Sequence, residues 1–276
     1  MRFAMCNELY EDRPVETGFR DIAGAGYEAI ELAPFTLGRP AEQVSASDRR
    51  DLRMRAADLG LGFTGLHWLL ARTEGLHIAS ADPVVRRRTL DHLNVLSGLC
   101  ADLGGAVLVF GSPAQRSTPE GMSAQEGRER SIEMFRDWSV RAEEDGTTIC
   151  LEALPTDETD FLNTTGQVIE AVSEVDSPVV KLVLDVKSMS AEPMPIPEQI
   201  SAAAPHLAYV QANDANRGGP GFGDTDFVPI FRALAAVRYD GYVSVEAFEA
   251  PTGIDDLAVR SIDYLRGCAL DAGVPA

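Results

Sequence analysis

Four short apolar runs each end in a carboxylate or amide residue: Ile149-Cys-Leu-Glu152, Leu182-Val-Leu-Asp185, Ala208-Tyr-Val-Gln211 and Val243-Ser-Val-Glu246. Their last residues are separated by 33, 26 and 35 positions, each about the length of one strand and one helix. A parallel barrel places the carboxyl ends of its strands on one rim, so these four side chains would converge there. Three carboxylates and an amide oxygen suit a hard divalent cation. The pattern therefore predicts a parallel α/β barrel with a metal site at its rim.

Runs typical of buried parallel strands alternate with helical patterns along the whole chain. The predicted strands are 2–7, 27–33, 61–67, 106–111, 147–153, 179–186, 207–213 and 242–248. The predicted helices are 17–25, 47–59, 83–103, 123–145, 164–174, 196–203, 226–237 and 255–269. Eight such pairs with right-handed crossovers predict a (β/α)8 TIM barrel as one domain over residues 1–276. A doubly wound sheet is the alternative, but no G-x-G-x-x-G follows the first strand.

Composition and charge restrict the partners. The chain is 45% hydrophobic, and 24 Lys plus Arg stand against 43 Asp plus Glu, for a formal charge of −19. Nucleic acid and anionic membranes are bound through basic patches, so neither is expected as a partner. No signal-like segment and no apolar run of membrane-spanning length is visible, which predicts a soluble cytoplasmic protein. The four cysteines lack C-x-x-C spacing, and Cys6 and Cys150 are predicted to be inert core residues of two strands.

Three long segments follow predicted strands, at 111–122, 187–197 and 212–225, and all are interpreted as loops on the rim. His67 and Trp68 follow the third strand, where an imidazole and an indole can bond to and stack on a sugar; a packed rim pair explains them equally well. The glycine-rich stretch 218–223 has no P-loop lysine and lies beside Asp224 and Asp226. It therefore favours an unphosphorylated sugar or polyol.

Several motifs carry a resemblance to a known family: Leu151-Glu152 followed by Glu158-Thr159, Leu184-Asp185-Val-Lys187, Asn213-Asp214 and Gly223-Asp-Thr-Asp-Phe227. The chain resembles the xylose-isomerase-like TIM barrel superfamily, the sugar phosphate isomerases and epimerases. It is most similar to the ketose 3-epimerase and hydroxypyruvate isomerase branch. The resemblance extends over nearly the whole chain.

The resemblance implies a role for each matched residue. The metal ligands of the family match Glu152, Asp185, Gln211 and Glu246, and Glu152 and Glu246 would also be the catalytic acid/base pair. The family's substrate-binding Glu and Arg match Glu158 and Arg217. Together with His67, Trp68 and Lys187, these two form the predicted substrate-binding set.

Two positions depart from the family pattern. The third ligand is usually His, whereas this chain has Gln211, whose amide oxygen favours Mn²⁺, Mg²⁺ or Ca²⁺ over Zn²⁺. A substrate-contacting His usually stands three residues after the Asp, where this chain has Ser188 beside Lys187. We expect one divalent cation, with Mn²⁺ or Mg²⁺ favoured. The second departure leaves ketose 3-epimerisation itself open.

The predicted function is a metal-dependent carbohydrate isomerase or epimerase that moves protons through an enediolate of a keto-sugar or keto-polyol. One alternative is a lyase, a dehydratase or keto-glycoside β-eliminase, that uses the same residues. A second is a non-catalytic sugar-binding barrel, which the retained pair Glu152 and Glu246 disfavours. An apurinic endonuclease is opposed by the acidic charge. The partner is a small carbohydrate, and the subunit count stays open, with a homo-oligomer among the allowed states.

Overall fold

The computed structural model describes residues 1–275, and its eight strands close into a parallel barrel in chain order, with β8 paired to β1. The prediction of a TIM barrel is confirmed. The strands are β1 Arg2–Cys6, β2 Ala29–Leu32, β3 Gly62–Leu66, β4 Val107–Phe110, β5 Thr148–Glu152, β6 Val180–Asp185, β7 Leu207–Ala212 and β8 Tyr242–Val245. Each lies within its predicted range, and the predicted ends run up to three residues too far.

Nine helices surround the barrel within the described part of the chain. They are α1 Val15–Ala25, α2 Ala46–Asp58, α3 Pro83–Leu103, α4 Ala124–Asp145, α5 Thr165–Val175, α6 Val186–Ser190, α7 Ile196–Ala203, α8 Phe227–Ala236 and α9 Ile254–Asp271. Eight were predicted, and α6 was not. The prediction that 187–197 is entirely loop is wrong, because the Asp185 side chain accepts from Ser188 N at 2.7 Å and caps a short helix.

Strand composition explains why the polar residues gather at one end. From β1 to β8 the strand residues are almost all buried, as expected when helices cover the outer face and side chains fill the inside. In the β6–β7 ladder Asp185 pairs with Gln211, and in the β7–β8 ladder Gln211 pairs with Ser244. The register therefore places Asp185 beside Gln211, with Glu246 two residues beyond Ser244.

None of the helices in residues 1–275 combines the length and the apolar composition needed to cross a bilayer.

Candidate active site

The four residues predicted as metal ligands all lie at the carboxyl end of the barrel. Glu152 is the last residue of β5, Asp185 is the last of β6, Gln211 lies one residue before the end of β7, and Glu246 follows β8. Their exposed fractions are 8%, 2%, 1% and 4%. The fold thus brings four polar side chains, three of them acidic, to one buried rim.

A cavity of about 80 Å³ opens at this rim. Glu152 and Glu246 both line it, whereas Asp185 and Gln211 are not among its lining residues. All five residues predicted to bind substrate line the same cavity: His67, Trp68, Glu158, Lys187 and Arg217. The acid/base pair proposed from the sequence and the predicted substrate contacts therefore share one space.

Burial and mutual repulsion keep the rim carboxylates from ionising easily. Burial, together with the Asp185 and Glu246 carboxylates, raises the pKa of Glu152 well above its ordinary value. Burial also raises the pKa of Asp185, although Lys187 and the backbone N–H of Ser188 act in the opposite direction. Asn213 also favours the charged form of Asp185, because its Nδ2 donates to Asp185 Oδ2 at 2.5 Å. Without a compensating cation, the ionised forms of Glu152 and Asp185 are disfavoured.

Glu246 has a different environment, because two neighbours on the loop after β3 contact one of its oxygens. Trp68 Nε1 donates to Glu246 Oε1 at 3.1 Å, and His67 Nδ1 lies 3.3 Å from the same oxygen. Burial raises the pKa of Glu246 to about 7, although His67 acts to lower this pKa. The second carboxylate oxygen, Oε2, is left for other partners.

Gln211 is anchored through its nitrogen and not through its oxygen. Its Nε2 donates to Glu31 Oε1 at 3.0 Å, while its Oε1 is buried without a hydrogen-bond partner. A buried carbonyl oxygen without a donor is costly, and native proteins rarely leave one unpaired. The free oxygen of Gln211 is therefore available as a ligand.

These observations fit a divalent cation at the rim. Three buried carboxylates that repel one another would be neutralised by it, and an orphaned amide oxygen would gain a partner. Oxygen-only donors of this kind suit Mn²⁺, Mg²⁺ or Ca²⁺. The residues that would hold the ion are Glu152, Asp185, Gln211 and Glu246.

Lys187 and Glu158 form an ion pair on the cavity wall. Lys187 Nζ lies 2.6 Å from Glu158 Oε1, and the lysine is 8% exposed. Burial would lower the pKa of Lys187, but Asp185 and Glu158 outweigh it and hold the pKa above its ordinary value. Lys187 is therefore a fixed cation that also orients Glu158.

Aromatic side chains form another wall of the cavity. Phe248 lies between Trp68, whose ring centroid is 6.3 Å away, and two cations: Lys187 Nζ at 4.9 Å and Arg217 Cζ at 4.6 Å from the Phe248 ring. Trp68 and Arg217 have positive φ angles of 54° and 71°. Left-handed backbone at residues other than glycine is uncommon and concentrates at functional sites.

Three residues of this region were missed from the sequence. Phe248 follows the Glu246 run and could have been inferred from its place two residues beyond a rim carboxylate. Arg116 is 1% exposed, and its guanidinium donates to the carbonyl oxygens of Glu152 at 2.8 Å and Leu162 at 2.9 Å. Gly111 leaves room for the Glu152 side chain, because a Cβ at position 111 would lie 2.3 Å from Glu152 Oε2. Nothing in the sequence around Arg116 or Gly111 indicates these contacts.

The surroundings of Cys6 differ from those of Cys150. Cys6 is buried in β1 as predicted, and its hydrogen-bond partners are polar side chains. Cys6 Sγ donates to Glu31 Oε2 at 3.0 Å and lies 3.7 Å from Ser244 Oγ. Cys150, by contrast, packs in an apolar cluster with Val107, Val109, Val183 and Tyr209.

Comparisons with known proteins agree with this architecture. A family profile described as xylose isomerase-like TIM barrel matches residues 19–268. An L-ribulose 3-epimerase of Mesorhizobium japonicum is 31% identical over 88% of this chain and 79% of its own. A D-psicose 3-epimerase of Ruminiclostridium cellulolyticum is 29% identical over 82% of this chain and 76% of its own. A crystal structure of D-psicose 3-epimerase with D-tagatose from Clostridium cellulolyticum H10 superimposes with a TM-score of 0.87 at 22% identity, covering 97% of this chain and 99% of that one. The chain belongs to the xylose isomerase-like TIM barrel family.

Proposed function

We propose that this protein is a divalent-metal-dependent ketose epimerase that inverts a carbon next to the ketone of a small sugar. The observation that carries the proposal is the shared cavity, which is lined by Glu152 from β5, Glu246 after β8 and the matched substrate residues Glu158 and Arg217. The two relatives described above are named 3-epimerases. The sequence-based prediction of a keto-sugar isomerase or epimerase is confirmed at this level, and neither relative is named as a lyase or a binding protein.

Inversion needs two proton-transfer groups on opposite faces of the reacting carbon. Glu152 and Glu246 reach the cavity from strands separated by two others in the closed barrel, so a substrate between them presents a different face to each. One carboxylate removes the α-proton, and the other returns a proton to the opposite face of the resulting enediolate. A divalent cation at the rim would make the α-proton more acidic and stabilise the developing negative charge on oxygen.

The remaining side chains would position the sugar. Trp68 and Phe248 offer apolar surface for the C–H face of the ring or chain, while Glu158, Lys187 and Arg217 offer donors and acceptors for hydroxyl groups. Lys187 already neutralises Glu158, so this wall suits an uncharged sugar. For the cofactor, divalent-metal dependence is general among ketose 3-epimerases, and we propose Mn²⁺ or Mg²⁺ because Gln211 offers oxygen.

Solvent-deuterium exchange tests the proposal. The purified protein, reloaded with Mn²⁺ after chelation, is incubated in D₂O with a panel of unphosphorylated ketoses, and the products are followed by NMR. We expect deuterium to enter one carbon next to the ketone, together with formation of the epimer. Formation of an aldose that carries deuterium at C2 would identify an isomerase instead, and loss of water would identify a lyase. No exchange with any ketose would contradict the proposal and favour the sugar-binding barrel.

A further inference from the structure

A second cluster of potential metal ligands lies at the same barrel mouth, on the first three strands, next to Gln211 and Glu246. Cys6 ends β1, Glu8 lies in the 3₁₀ turn Glu8–Tyr10, Glu31 lies in β2, and His67 follows β3. Their exposed fractions are 1%, 9%, 0% and 0%. None of the four belongs to the rim set, the metal ligands predicted from the sequence (Glu152, Asp185, Gln211 and Glu246). His67 does contact Glu246.

The donor atoms of this cluster are close enough to share an ion. Single donor atoms of Cys6, Glu31 and His67 all lie within 4.8 Å of one another, and so do those of Cys6, Glu8 and Glu246. His67 Nε2 is 3.3 Å from Glu8 Oε2. Cys6 belongs to both groups, so its thiol lies within 4.8 Å of a donor atom of each of the other four residues.

Several of these atoms have no hydrogen-bond partner. Both carboxylate oxygens of Glu8 and Nε2 of His67 are buried, and the 3.3 Å contact between them lacks hydrogen-bond geometry. A buried carboxylate with neither oxygen bonded is strongly disfavoured. Glu31 differs, because it accepts from Cys6, Tyr209 and Gln211, and an acceptor site on Oε2 becomes free for an ion when the Cys6 thiol loses its proton. Glu8 Oε1 therefore lacks any partner, Glu8 Oε2 has only the long ion pair with His67, and Glu31 holds the cluster in place.

Charge leads to the same conclusion. The barrel mouth buries five carboxylates: Glu8, Glu31, Glu152, Asp185 and Glu246. The buried cationic groups nearby are Arg116, Lys187, which is paired with Glu158, and His67, whose pKa is raised in spite of its burial because Glu8 and Glu31 lie close to it. A single dication at the rim set leaves this region with excess negative charge. A second dication beside Glu8 would remove that excess and take the place of the His67 proton.

We propose that Cys6, Glu8, Glu31 and His67 bind a second divalent cation, distinct from the ion expected at Glu152, Asp185, Gln211 and Glu246. A thiolate and an imidazole among the donors select a borderline ion such as Zn²⁺ or Co²⁺, whereas the rim set offers oxygen alone. Binding releases the Cys6 thiol proton and the His67 imidazolium proton to solvent, because a coordinating thiol is deprotonated and imidazole coordinates in its neutral form. The pKa of Cys6 is raised by burial and by Glu31, so the thiol is protonated in the metal-free protein.

Cobalt reports on the site directly, because thiolate coordination to Co²⁺ gives a near-ultraviolet charge-transfer band that oxygen and nitrogen ligands do not. The full-length protein is stripped with a chelator and titrated with Co²⁺, and bound metal is counted by elemental analysis. We expect two ions per chain and a charge-transfer band that rises with one of them. Cys6→Ser should lose the charge-transfer band, and its affinity for one of the two ions should fall at least tenfold. Cys150→Ser, which removes the buried thiol of the apolar cluster, should keep both.

A second variant protects the test against misfolding of Cys6→Ser. Glu8→Gln is nearly isosteric and should weaken the band-forming ion at least tenfold while circular dichroism stays unchanged. A single ion per chain in the wild type, with or without the band, overturns the proposal, and so does a band that survives in folded Cys6→Ser. None of these readouts depends on epimerase activity. Failure of the second site is thereby distinguished from failure of the proposed reaction.

Discussion

The Gln211 side chain donates from Nε2 to Glu31 Oε1 at 3.0 Å, and its own Oε1 faces no donor. This bond fixes the orientation of the amide, because only nitrogen can donate to the carboxylate. The oxygen is consequently the atom left free to bind an ion. Glu31 is held by Cys6 and Tyr209 as well, so the orientation of Gln211 is set by a buried network and not by solvent.

Replacing Gln211 by His should change which metal the rim prefers. One imidazole nitrogen can donate to Glu31 while the other replaces an oxygen ligand with nitrogen. We expect the affinity ratio of Zn²⁺ or Co²⁺ over Mn²⁺ to rise by about tenfold, with the fold intact. Competition titrations on the stripped protein measure the ratio. Gln211→Leu is the matched control that removes the ligand, and an unchanged ratio in Gln211→His would show that Gln211 does not bind the ion.

The carboxylates of Glu152 and Glu246 should be separately essential for turnover. Glutamine in either place keeps an oxygen for the metal and removes the proton acceptor. We therefore expect kcat to fall by at least roughly 10²-fold, with metal and sugar still bound. Deuterium uptake from solvent should disappear in the same variants. Glu133→Gln, on an exposed face of α4, serves as the control and should keep wild-type kcat. Wild-type rates in both active-site variants would refute the acid/base assignment.

The sequence predicted the barrel and the rim positions because both follow from one-dimensional patterns. Apolar runs of strand length that end in Glu152, Asp185 and Glu246 need no knowledge of tertiary packing to be placed on one rim. Helix α6 was missed, since it depends on the Asp185 cap more than on a periodic apolar pattern.

Contacts made by distant segments could not be predicted in this way. Arg116 bonds to the Glu152 carbonyl from the loop after β4, and an arginine in a polar loop is ordinarily read as exposed. The polar surroundings of Cys6 arise because side chains from β2, β7 and β8 point inward at one level of the barrel. Such packing is a property of the closed barrel and is not encoded in the local pattern around Cys6.

Metal uptake should release protons and weaken as the pH falls. In the metal-free protein the pKa of Glu246 is raised to about 7 and that of Glu152 stands well above its ordinary value, so both hold protons at mildly acidic pH. The ion needs the ionised forms, and its apparent affinity should therefore rise with pH. For each proton released, we expect about a tenfold change per pH unit below the raised pKa values. Calorimetric titrations of Mn²⁺ in buffers of different ionisation enthalpy count the protons, and an affinity equal at about pH 6 and about pH 8 would contradict this prediction.

Arg116 should be a major contributor to stability around Glu152. Its guanidinium donates to the carbonyl oxygens of Gly111, Glu152 and Leu162, and it is almost fully buried. Arg116→Met would remove a donor from three buried carbonyl oxygens, of which only that of Leu162 keeps a second one, the Leu154 N–H. We therefore expect the free energy of unfolding to fall by about 3 kcal/mol. Urea denaturation measures the change. Arg50→Met, an exposed arginine of α2, is the control and should stay within about 0.5 kcal/mol of wild type.

Lys187 should act on substrate binding through Glu158. The chain contains two lysines, Lys181 and Lys187, and both lie on or next to β6. In Lys187→Met the charge that holds Glu158 Oε1 at 2.6 Å is lost, and Glu158 is free to turn away from the cavity. Losing a hydrogen bond to a charged group corresponds to about 1.5–3 kcal/mol, so we expect kcat/KM to fall by roughly 10- to 100-fold.

The split between the kinetic constants identifies the role of Lys187. If it positions the ground-state sugar, the loss should appear mainly as a raised KM, while deuterium exchange at saturating substrate stays near the wild-type rate. Lys181→Met, in which the partly exposed lysine of β6 is replaced, should leave both constants unchanged. A fall in kcat with KM unaltered would instead indicate that Lys187 stabilises charge in the transition state. Wild-type values of both constants in Lys187→Met would show that the ion pair with Glu158 is structural. If the pair held the sugar, removing it would change KM.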